Sequence, residues 1–411
     1  MSLVAKKIIF TLFVVLILSV QSLALTWSEA LFAAAQNNNQ LKSMEKAVEA
    51  SEWTYKKTYT VFFPQISAFA RMTAYEFMTT AESKSYSYGL NVTQYIIPSV
   101  GDIYNIQSSY ANLEYQKANL AITKASVYYD LRKAFLDVLF LQEKVKLLSE
   151  ILAKRKENTK LIGLRYDSGR EDKGNYLTTQ ADESSAGYDL SSAKRGLTLA
   201  RLKLSQLISD NISKVEEPEF LSEPAIVDFE ILLKETPSYF ILEKQLKLAE
   251  VSYQASISGF LPSLSLNASY GNSGEDWPPT SDTRSWSLIV SIPMFPGGSN
   301  VANRIIEGKN LEKAKEDFAN SVYTLRYSLE EVYLGYKDAF EAFNVAKISL
   351  NAATEREKIT KTKYLNGLTT YDEWYRVENS YVQAEKNILS SKESLLLAEA
   401  LWYKTYGGWK K

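Results

Sequence analysis

The chain has 411 residues, and its 47 Lys and Arg side chains nearly balance its 48 Asp and Glu side chains, giving a net charge of −1. This balance gives no electrostatic reason to expect nucleic acid as a partner. The sequence contains no His and no Cys, so it lacks the common general base, the thiolate nucleophile and the usual ligands of transition metals. We therefore expect a protein that is not an enzyme and that carries no metal and no cofactor.

The N-terminus has the pattern of a secretory signal peptide. Lys6 and Lys7 precede an apolar run at 8–20, and small residues at 22–24 supply the positions that a signal peptidase reads. We place the cleavage after Ala24, so that residues 1–24 are removed. The apolar run is too short for a permanent transmembrane helix, and no later stretch is long and apolar enough to be one. A mature chain that sits in a membrane must therefore do so through strands.

The rest of the sequence contains a duplicated unit. Gly169 and Gly367 lie 198 residues apart, and the same offset aligns most of the chain without a gap. A period this long indicates a duplicated domain, because the units of a solenoid are several times shorter. We assign 25–210 to the first repeat, 211–237 to a polar linker or equatorial segment, and 238–411 to the second repeat. Pairs matched by the offset are Glu45 with Glu243, Tyr55 with Tyr253, Pro64 with Pro262, and Asn112 with Asn310.

Each repeat begins with a helix and then changes to alternating polarity, the pattern of a strand with two different faces. In 285–293, Trp286, Leu288 and Val290 share one face while serines occupy the other. Alternation alone fits a half-buried soluble hairpin as well as a membrane strand, but the secretion signal and the hydroxyl-rich face favour a membrane barrel. The predicted strands are at about 63–75 and 85–97 in the first repeat and at about 261–271 and 284–293 in the second.

Four strands are too few for a barrel within one chain. Closure takes roughly eight strands, and lipid does not tolerate open strand edges. If the strands lie in a membrane, several chains must therefore contribute to one barrel.

A long heptad pattern follows each pair of strands. In the first repeat, apolar residues recur every seven positions in two rows, which is typical of helices packed as a coiled coil. We predict long helices at about 100–165 and 171–210, and again at about 299–364 and 371–405, each pair forming an antiparallel helical hairpin. A coiled-coil spacer has the same heptads, but it has no need of the attached strands. The two rows are Leu113, Leu120, Val127, Ala134, Leu141 and Leu148, and Leu131, Val138, Val145 and Leu152.

Both helical hairpins reverse at a Tyr-x-x-Gly motif, RYDSG at 165–169 and KYLNG at 363–367. A glycine just after a helix commonly adopts the left-handed conformation that ends it. The two-copy layout, these turns, and the strand starts Phe-Pro-x-Ile (63–66) and Leu-Pro-x-Leu (261–264) resemble the TolC-type outer-membrane efflux proteins, the outer membrane factor family. The resemblance covers the chain from Leu25 to the C-terminus.

The resemblance implies a homotrimer in the outer membrane, in which each chain gives four strands to a twelve-stranded β-barrel that continues as a periplasmic α-helical barrel. It also implies a passive exit duct of a tripartite efflux pump or a type I secretion system. The implied partners are a periplasmic adaptor (membrane fusion) protein, an inner-membrane transporter of the RND, ABC or MFS type, and outer-membrane lipid. The transported substrate is not implied.

In this family the two turns form the periplasmic tip and dock against the adaptor. Carried onto this sequence, the docking residues belong to the two Tyr-x-x-Gly turns. They are Tyr166, Ser168 and Gly169 in the first turn, and Tyr364, Asn366 and Gly367 in the second.

The family also holds its tip shut through a latch of polar side chains and lines the entrance with acidic residues. Tyr364 matches the latch tyrosine, whereas Asn175 stands where the family has an acid and Thr369 where some members have Arg, so the charged part of the latch is absent or rebuilt. Asp372 and Glu373 are the candidates for the acidic entrance ring, although acids here also suit the first turn of a helix. The resemblance places a second acid at Arg376, which weakens a strict transfer of the ring.

A different class of function stays open at this point. The same helices and strands are compatible with a soluble periplasmic coiled-coil scaffold or adaptor without a pore, in which the strands form a small sandwich. Extraction from membranes by salt or alkali alone would favour that alternative.

Overall fold

The structure is a computed structural model that describes residues 24–77, 80–97, 100–208, 212, 214–216 and 224–408. The predicted signal peptide at 1–24 therefore lies outside the described residues except for Ala24, and the predicted linker at 211–237 is described in part. Within the described ranges, no helix combines the length and the apolar character needed to cross a membrane.

The first repeat folds as two helices, two strands and two long helices. Thr26 begins the first helix with a capping box, because its hydroxyl accepts from the backbone of Glu29 and the Glu29 carboxylate accepts from the backbone of Thr26. The elements are α1 (Trp27–Asn37), α2 (Asn39–Thr58), β1 (Gln65–Phe77), β2 (Thr80–Ile97), α3 (Val100–Asp167) and α4 (Lys173–Ile208).

The second repeat has the same order of elements, but its first helix lies inside the segment that the sequence predicts as a linker (211–237). Thr236 caps its second helix and Pro237 occupies the first helical position, where its missing N–H and fixed φ are favourable. The elements are α5 (Phe229–Glu235), α6 (Pro237–Ala255), β3 (Ser263–Gly274), β4 (Ser281–Ser291), α7 (Ser299–Leu365) and α8 (Tyr371–Tyr406).

The largest difference from the predicted strand ranges is at the start of β2, and smaller ones are that β3 extends to Gly274 and that β4 begins at Ser281. β2 begins at Thr80 and not near 85, because its pairing with β1 continues as far as Phe77 opposite Thr80. Charged residues interrupt the alternation at 82–84, so sequence polarity does not reveal this part of the strand. β4 ends at Ser291, two residues before Pro293, which has no N–H to donate to a neighbouring strand.

The four strands form one antiparallel sheet in the order β1-β2-β3-β4, so β1 and β4 are its edges. In the register, Leu90 on β2 lies opposite Tyr270 on β3, and Ala268 on β3 lies opposite Trp286 on β4. These residues share one face of the sheet because side chains alternate along each strand. All of β4 is exposed, and Trp286 has 79% of its surface accessible.

The chain divides into two compact units, and both turns lie in a helical one. That unit contains Ile122–Leu232 and Tyr327–Lys411 together with the N-terminal residues up to Lys42, whereas the sheet belongs to the other unit. Its core is built from the predicted heptad rows, since Leu131, Ala134 and Val138 of α3 are buried. They pack with Ala30 and Ala34 of α1 and with Leu204 and Ile208 of α4.

Candidate functional site: two helical turns and the contacts between them

Two glycines end the long helices in the same way. Gly169 has φ 72° and Gly367 has φ 70°, the left-handed region that favours glycine. At the second turn, Gly367 donates to the carbonyl of Tyr364 at 3.0 Å and Leu368 to that of Lys363 at 2.8 Å. This pair of bonds is a Schellman motif, and the first turn has the same pair. Each turn thus reverses the chain between α3 and α4, or between α7 and α8.

Tyr364 is held between the two turns. Its hydroxyl donates to Oε2 of Glu171 at 2.8 Å, and its ring stacks on Trp374 with centroids 4.7 Å apart. The guanidinium of Arg165, on α3, lies 4.4 Å from the centroid of the Tyr364 ring. Only 2% of Tyr364 is exposed, and burial together with the bond to Glu171 raises the pKa of its hydroxyl to about 12. The phenol therefore stays protonated as a donor across the physiological range.

Asn175 acts on this contact through Glu171. Its side-chain amide donates to Oε1 of Glu171 at 2.9 Å, while Oε2 of the same carboxylate takes the hydrogen bond from Tyr364. The sequence predicts Tyr364 and Asn175 as latch residues but does not identify Glu171, the group that joins them. The acid of this contact thus stands four residues before Asn175, in the segment just ahead of α4.

Farther along the helices from the turns lies a buried polar group that we call the tip cluster. Arg155 on α3 places Nη1 at 3.1 Å from Oε2 of Glu378 on α8 and at 3.4 Å from Oδ2 of Asp182 on α4. Asn158 donates to the other oxygen of Glu378 at 2.5 Å. Burial raises the pKa of Glu378, and Arg155 and Asn158 partly oppose that shift. The cluster consists of Arg155, Asn158, Asp182, Tyr371, Trp374 and Glu378.

Aromatic rings join the tip cluster to the Tyr364 contact. Ile162 of α3 and Trp374 of α8 are almost fully buried together with Tyr364 and Tyr371. Tyr371 meets Trp374 edge to face, with centroids 6.0 Å apart. One continuous packed region therefore connects α3 and α4 of the first repeat with α7 and α8 of the second.

The predicted entrance acids have different surroundings. Thr370 caps α8, and its hydroxyl accepts from the backbone of Glu373 at 3.3 Å. The Glu373 carboxylate forms ion pairs with Arg356 at 3.3 Å and with Arg376. Asp372 is exposed beside it. Glu373 thus lies in the first turn of α8 with two arginines paired to its carboxylate, and the entrance ring stays a prediction.

The remaining predicted docking residues support the turns locally. Tyr166 stacks on Tyr176 with centroids 5.6 Å apart. Ser168 donates from its hydroxyl to the carbonyl of Arg165, and Asn366 donates from its amide to the carbonyl of Thr362. Near the second turn Leu368 is 75% exposed, which leaves an apolar side chain in solvent next to Gly367.

One member of the tip cluster was detectable in the sequence. Arg155 lies seven residues after Leu148 and continues the first heptad row, so it is a charged residue at a position that packs inward. Glu378, Asp182 and Asn158 carry no such signal, because their meeting depends on how two hairpins from different repeats face each other. The described residues contain no group of three or more acidic side chains arranged to hold a metal ion.

The fold and this site define a class of protein. The structure combines a sheet that has an exposed apolar face with two long helical hairpins that meet through buried contacts. The family model described as "Outer membrane efflux protein" matches residues 31–209 and 232–408. The chain belongs to the outer membrane efflux protein family, which confirms the TolC-type resemblance, and its location is the outer membrane.

Individual relatives are distant in sequence. The outer membrane efflux protein BepC of Brucella suis biovar 1 (strain 1330) is 20% identical over 391 residues, which cover 92% of this chain and 86% of BepC. The CmeC outer membrane channel of Campylobacter jejuni has a TM-score of 0.80 at 16% identity, covering 93% of this chain and 85% of CmeC. The open state of the MtrE outer membrane channel of Neisseria gonorrhoeae has a TM-score of 0.81 at 19% identity, covering 93% and 89%. These structures share the fold.

Proposed function

We propose that the protein is the passive outer-membrane exit duct of a tripartite efflux pump or a type I secretion system, and that it works as a homotrimer. The observation that carries this proposal is the open four-stranded sheet. β1 and β4 are unpaired edges, and four strands cannot close a barrel. Three chains supply twelve strands, enough to remove every edge from lipid.

The two faces of the sheet support this arrangement. One face carries large exposed apolar side chains, among them Ile66, Leu90, Trp286, Leu288 and Val290. The opposite face of β3 and β4 carries Ser and Asn at most positions. A barrel in lipid needs an apolar outside, whereas a water-filled pore accepts hydroxyls and amides. A soluble periplasmic scaffold would need a sandwich to bury that apolar face, whereas the described strands form a single sheet.

Trimer formation and conduction can be measured directly. Purified protein in detergent should have the mass of three chains by native mass spectrometry, and it should form ion-conducting channels in planar lipid bilayers. A stable monomer, or a trimer that never conducts, would refute the exit duct.

The two turns are the proposed docking site of the periplasmic adaptor, which with an inner-membrane transporter of the RND, ABC or MFS type would open the tip. Contacts between the turns support this role, because α3 and α4 are held to α7 and α8 by Tyr364, Glu171 and the tip cluster. An adaptor that separates these helices would widen the entrance. Transport energy would then come from the inner-membrane partner.

The docking role is tested by replacing Gly367 with Trp and, as a matched control, with Ala. Both variants place a side chain at the same positive φ, and no atom lies within 4 Å of an added Cβ, so they share the backbone strain and differ in bulk. Gly367→Trp should abolish export while trimers still assemble, whereas Gly367→Ala should retain export. Loss of trimers in both variants would mean that the glycine is chiefly structural.

A further inference from the structure

The tip cluster contains buried polar atoms that make no hydrogen bond. They are the hydroxyl of Tyr371, Nε1 of Trp374 and Oδ2 of Asp182. Asp182 Oδ2 is within ion-pair distance of Arg155. The Tyr371 hydroxyl lies in the field of Asp182 and Glu378 without donating a hydrogen bond to either, and the indole N–H of Trp374 has no acceptor. In native proteins nearly all buried polar groups are hydrogen-bonded, so a concentration of exceptions at one place requires an explanation.

Neither water nor a neighbouring chain can supply the missing partners in this packing. Tyr371 is 6% exposed and Trp374 is 1% exposed, and the polar atom of each has almost no accessible surface. No space among the side chains of the cluster is large enough for a water molecule. A second copy of the chain cannot reach atoms that have no surface. In the packed arrangement these polar atoms have no partner, whereas separation of the helices would expose them to water.

The charges of the cluster are also unequal. Arg155 brings one positive charge to α3, while Glu378 on α8 and Asp182 on α4 bring two carboxylates to it. From α7, Glu357 adds to the negative field at Glu378 and Lys361 opposes it. Glu378 is only 4% exposed, so its carboxylate depends on a cation that it shares with Asp182, whose side chain is 26% exposed. The packed cluster is therefore destabilised by its unequal charges as well as by its missing hydrogen bonds.

The Tyr364 contact has the opposite character. Its hydroxyl has a charged acceptor in Glu171 at 2.8 Å, and Asn175 completes the bonding of that carboxylate. Two tyrosines of the same packed region, Tyr364 and Tyr371, lie 6.3 Å apart between ring centroids and differ in whether the hydroxyl is satisfied. The hydroxyl of Tyr364 therefore stabilises the packed arrangement, whereas the hydroxyl of Tyr371 destabilises it.

We propose that the tip cluster biases the tip towards opening: the unpartnered hydroxyl of Tyr371 and N–H of Trp374 keep the packed state marginal, so that a partner bound at the turns can separate α8 from α3 and α4. The Tyr364–Glu171 contact supplies the opposing bias. This inference rests on the proposed exit duct, and it assigns Tyr371 and Trp374 to the opening equilibrium as positioning residues. Each unpartnered atom costs the packed state a factor of roughly ten in its equilibrium with the separated state.

The experiment compares Tyr371→Phe with Tyr364→Phe in the full trimer. Each variant removes one oxygen atom from the same type of ring, so loss of packing is minimal in both. In planar bilayers, Tyr371→Phe should lower the open probability by roughly tenfold, because the packed state loses a penalty. Tyr364→Phe should raise it by a similar factor, because the packed state loses a hydrogen bond to a charged group. The double variant should lie between them.

Backbone hydrogen exchange at 364–378 provides a second readout that does not require a pore. It should slow in Tyr371→Phe and accelerate in Tyr364→Phe. An increase in open probability or exchange in Tyr371→Phe, or no change in either, would overturn the inference. If the wild-type trimer does not conduct at all, the proposed duct fails, and hydrogen exchange still decides whether Tyr371 destabilises the packed tip.

Discussion

Arg155 and Glu378 form a buried ion pair, with 3.1 Å between Nη1 and Oε2, that joins a helix of the first repeat to a helix of the second. The two residues are 8% and 4% exposed, so water contributes little to either charge. A pair in this position contributes less to stability than its short distance suggests, because both charges had to leave water. Removing one partner alone is nevertheless costly, since the other stays buried without compensation.

We therefore predict that Arg155→Leu destabilises the helical unit by about 3–5 kcal/mol, because Glu378 and Asp182 lose their shared cation. Thermal unfolding followed by circular dichroism measures the effect. The control is Lys386→Leu, which breaks a half-exposed pair with Asp189 and should change stability by no more than about 1 kcal/mol. Adding Glu378→Gln to Arg155→Leu should restore much of the loss. Equal effects of the two single variants would contradict this account.

Glu378 should also make stability depend on pH. Burial raises its pKa in the folded protein above the ordinary value of 4.5. Its contribution to the free energy of unfolding is thus fully present below pH 4.5 and is lost as the pH rises through the raised pKa. Glu378→Gln keeps a neutral side chain at every pH. Relative to this variant, the wild-type unfolding midpoint should fall as the pH increases from about 4 to about 8. If the unfolding midpoints of the wild type and of Glu378→Gln changed in parallel over that range, the pKa of Glu378 would not be raised.

The arrangement of elements was predictable because each has a periodic signal. Heptad rows gave the long helices, and Leu131 and Val138 of those rows lie in the core. Alternation gave the strands except at the start of β2, where pairing with β1 and not polarity sets the limit. Periodicity works here because one face of each element is apolar throughout its length.

The contacts of the site were less predictable, because they join residues from different repeats. Tyr364 was identified through the family resemblance, which uses its position three residues before Gly367, a local feature of the chain. Glu171 was missed, since nothing in its sequence shows that it faces a tyrosine 193 positions away. Arg155 was missed as well, although a charge in a heptad row signals a buried partner without saying which one.

Restoring the acid that the family has at position 175 should weaken the tip and not strengthen it. The Asn175 amide donates to Glu171 at 2.9 Å, so Asn175→Asp would put two carboxylates in contact. We expect a higher open probability in planar bilayers at neutral pH, and recovery when Glu171→Gln is added to the same chain. If Asn175→Asp lowered the open probability, the carboxylate of Glu171 would not be the acceptor that holds Tyr364.

The entrance prediction is tested at Glu373, whose carboxylate pairs with Arg356 and Arg376. Glu373→Gln removes one negative charge and leaves two arginines without it, so the local field becomes more positive. If three copies line the entrance, the reversal potential in a salt gradient should move towards anion preference, more at low than at high ionic strength because salt screens the ring. Asp372→Asn is the matched control, since Asp372 is exposed next to it. A larger shift in Asp372→Asn would place the ring at Asp372, and no shift in either would place it elsewhere in the chain.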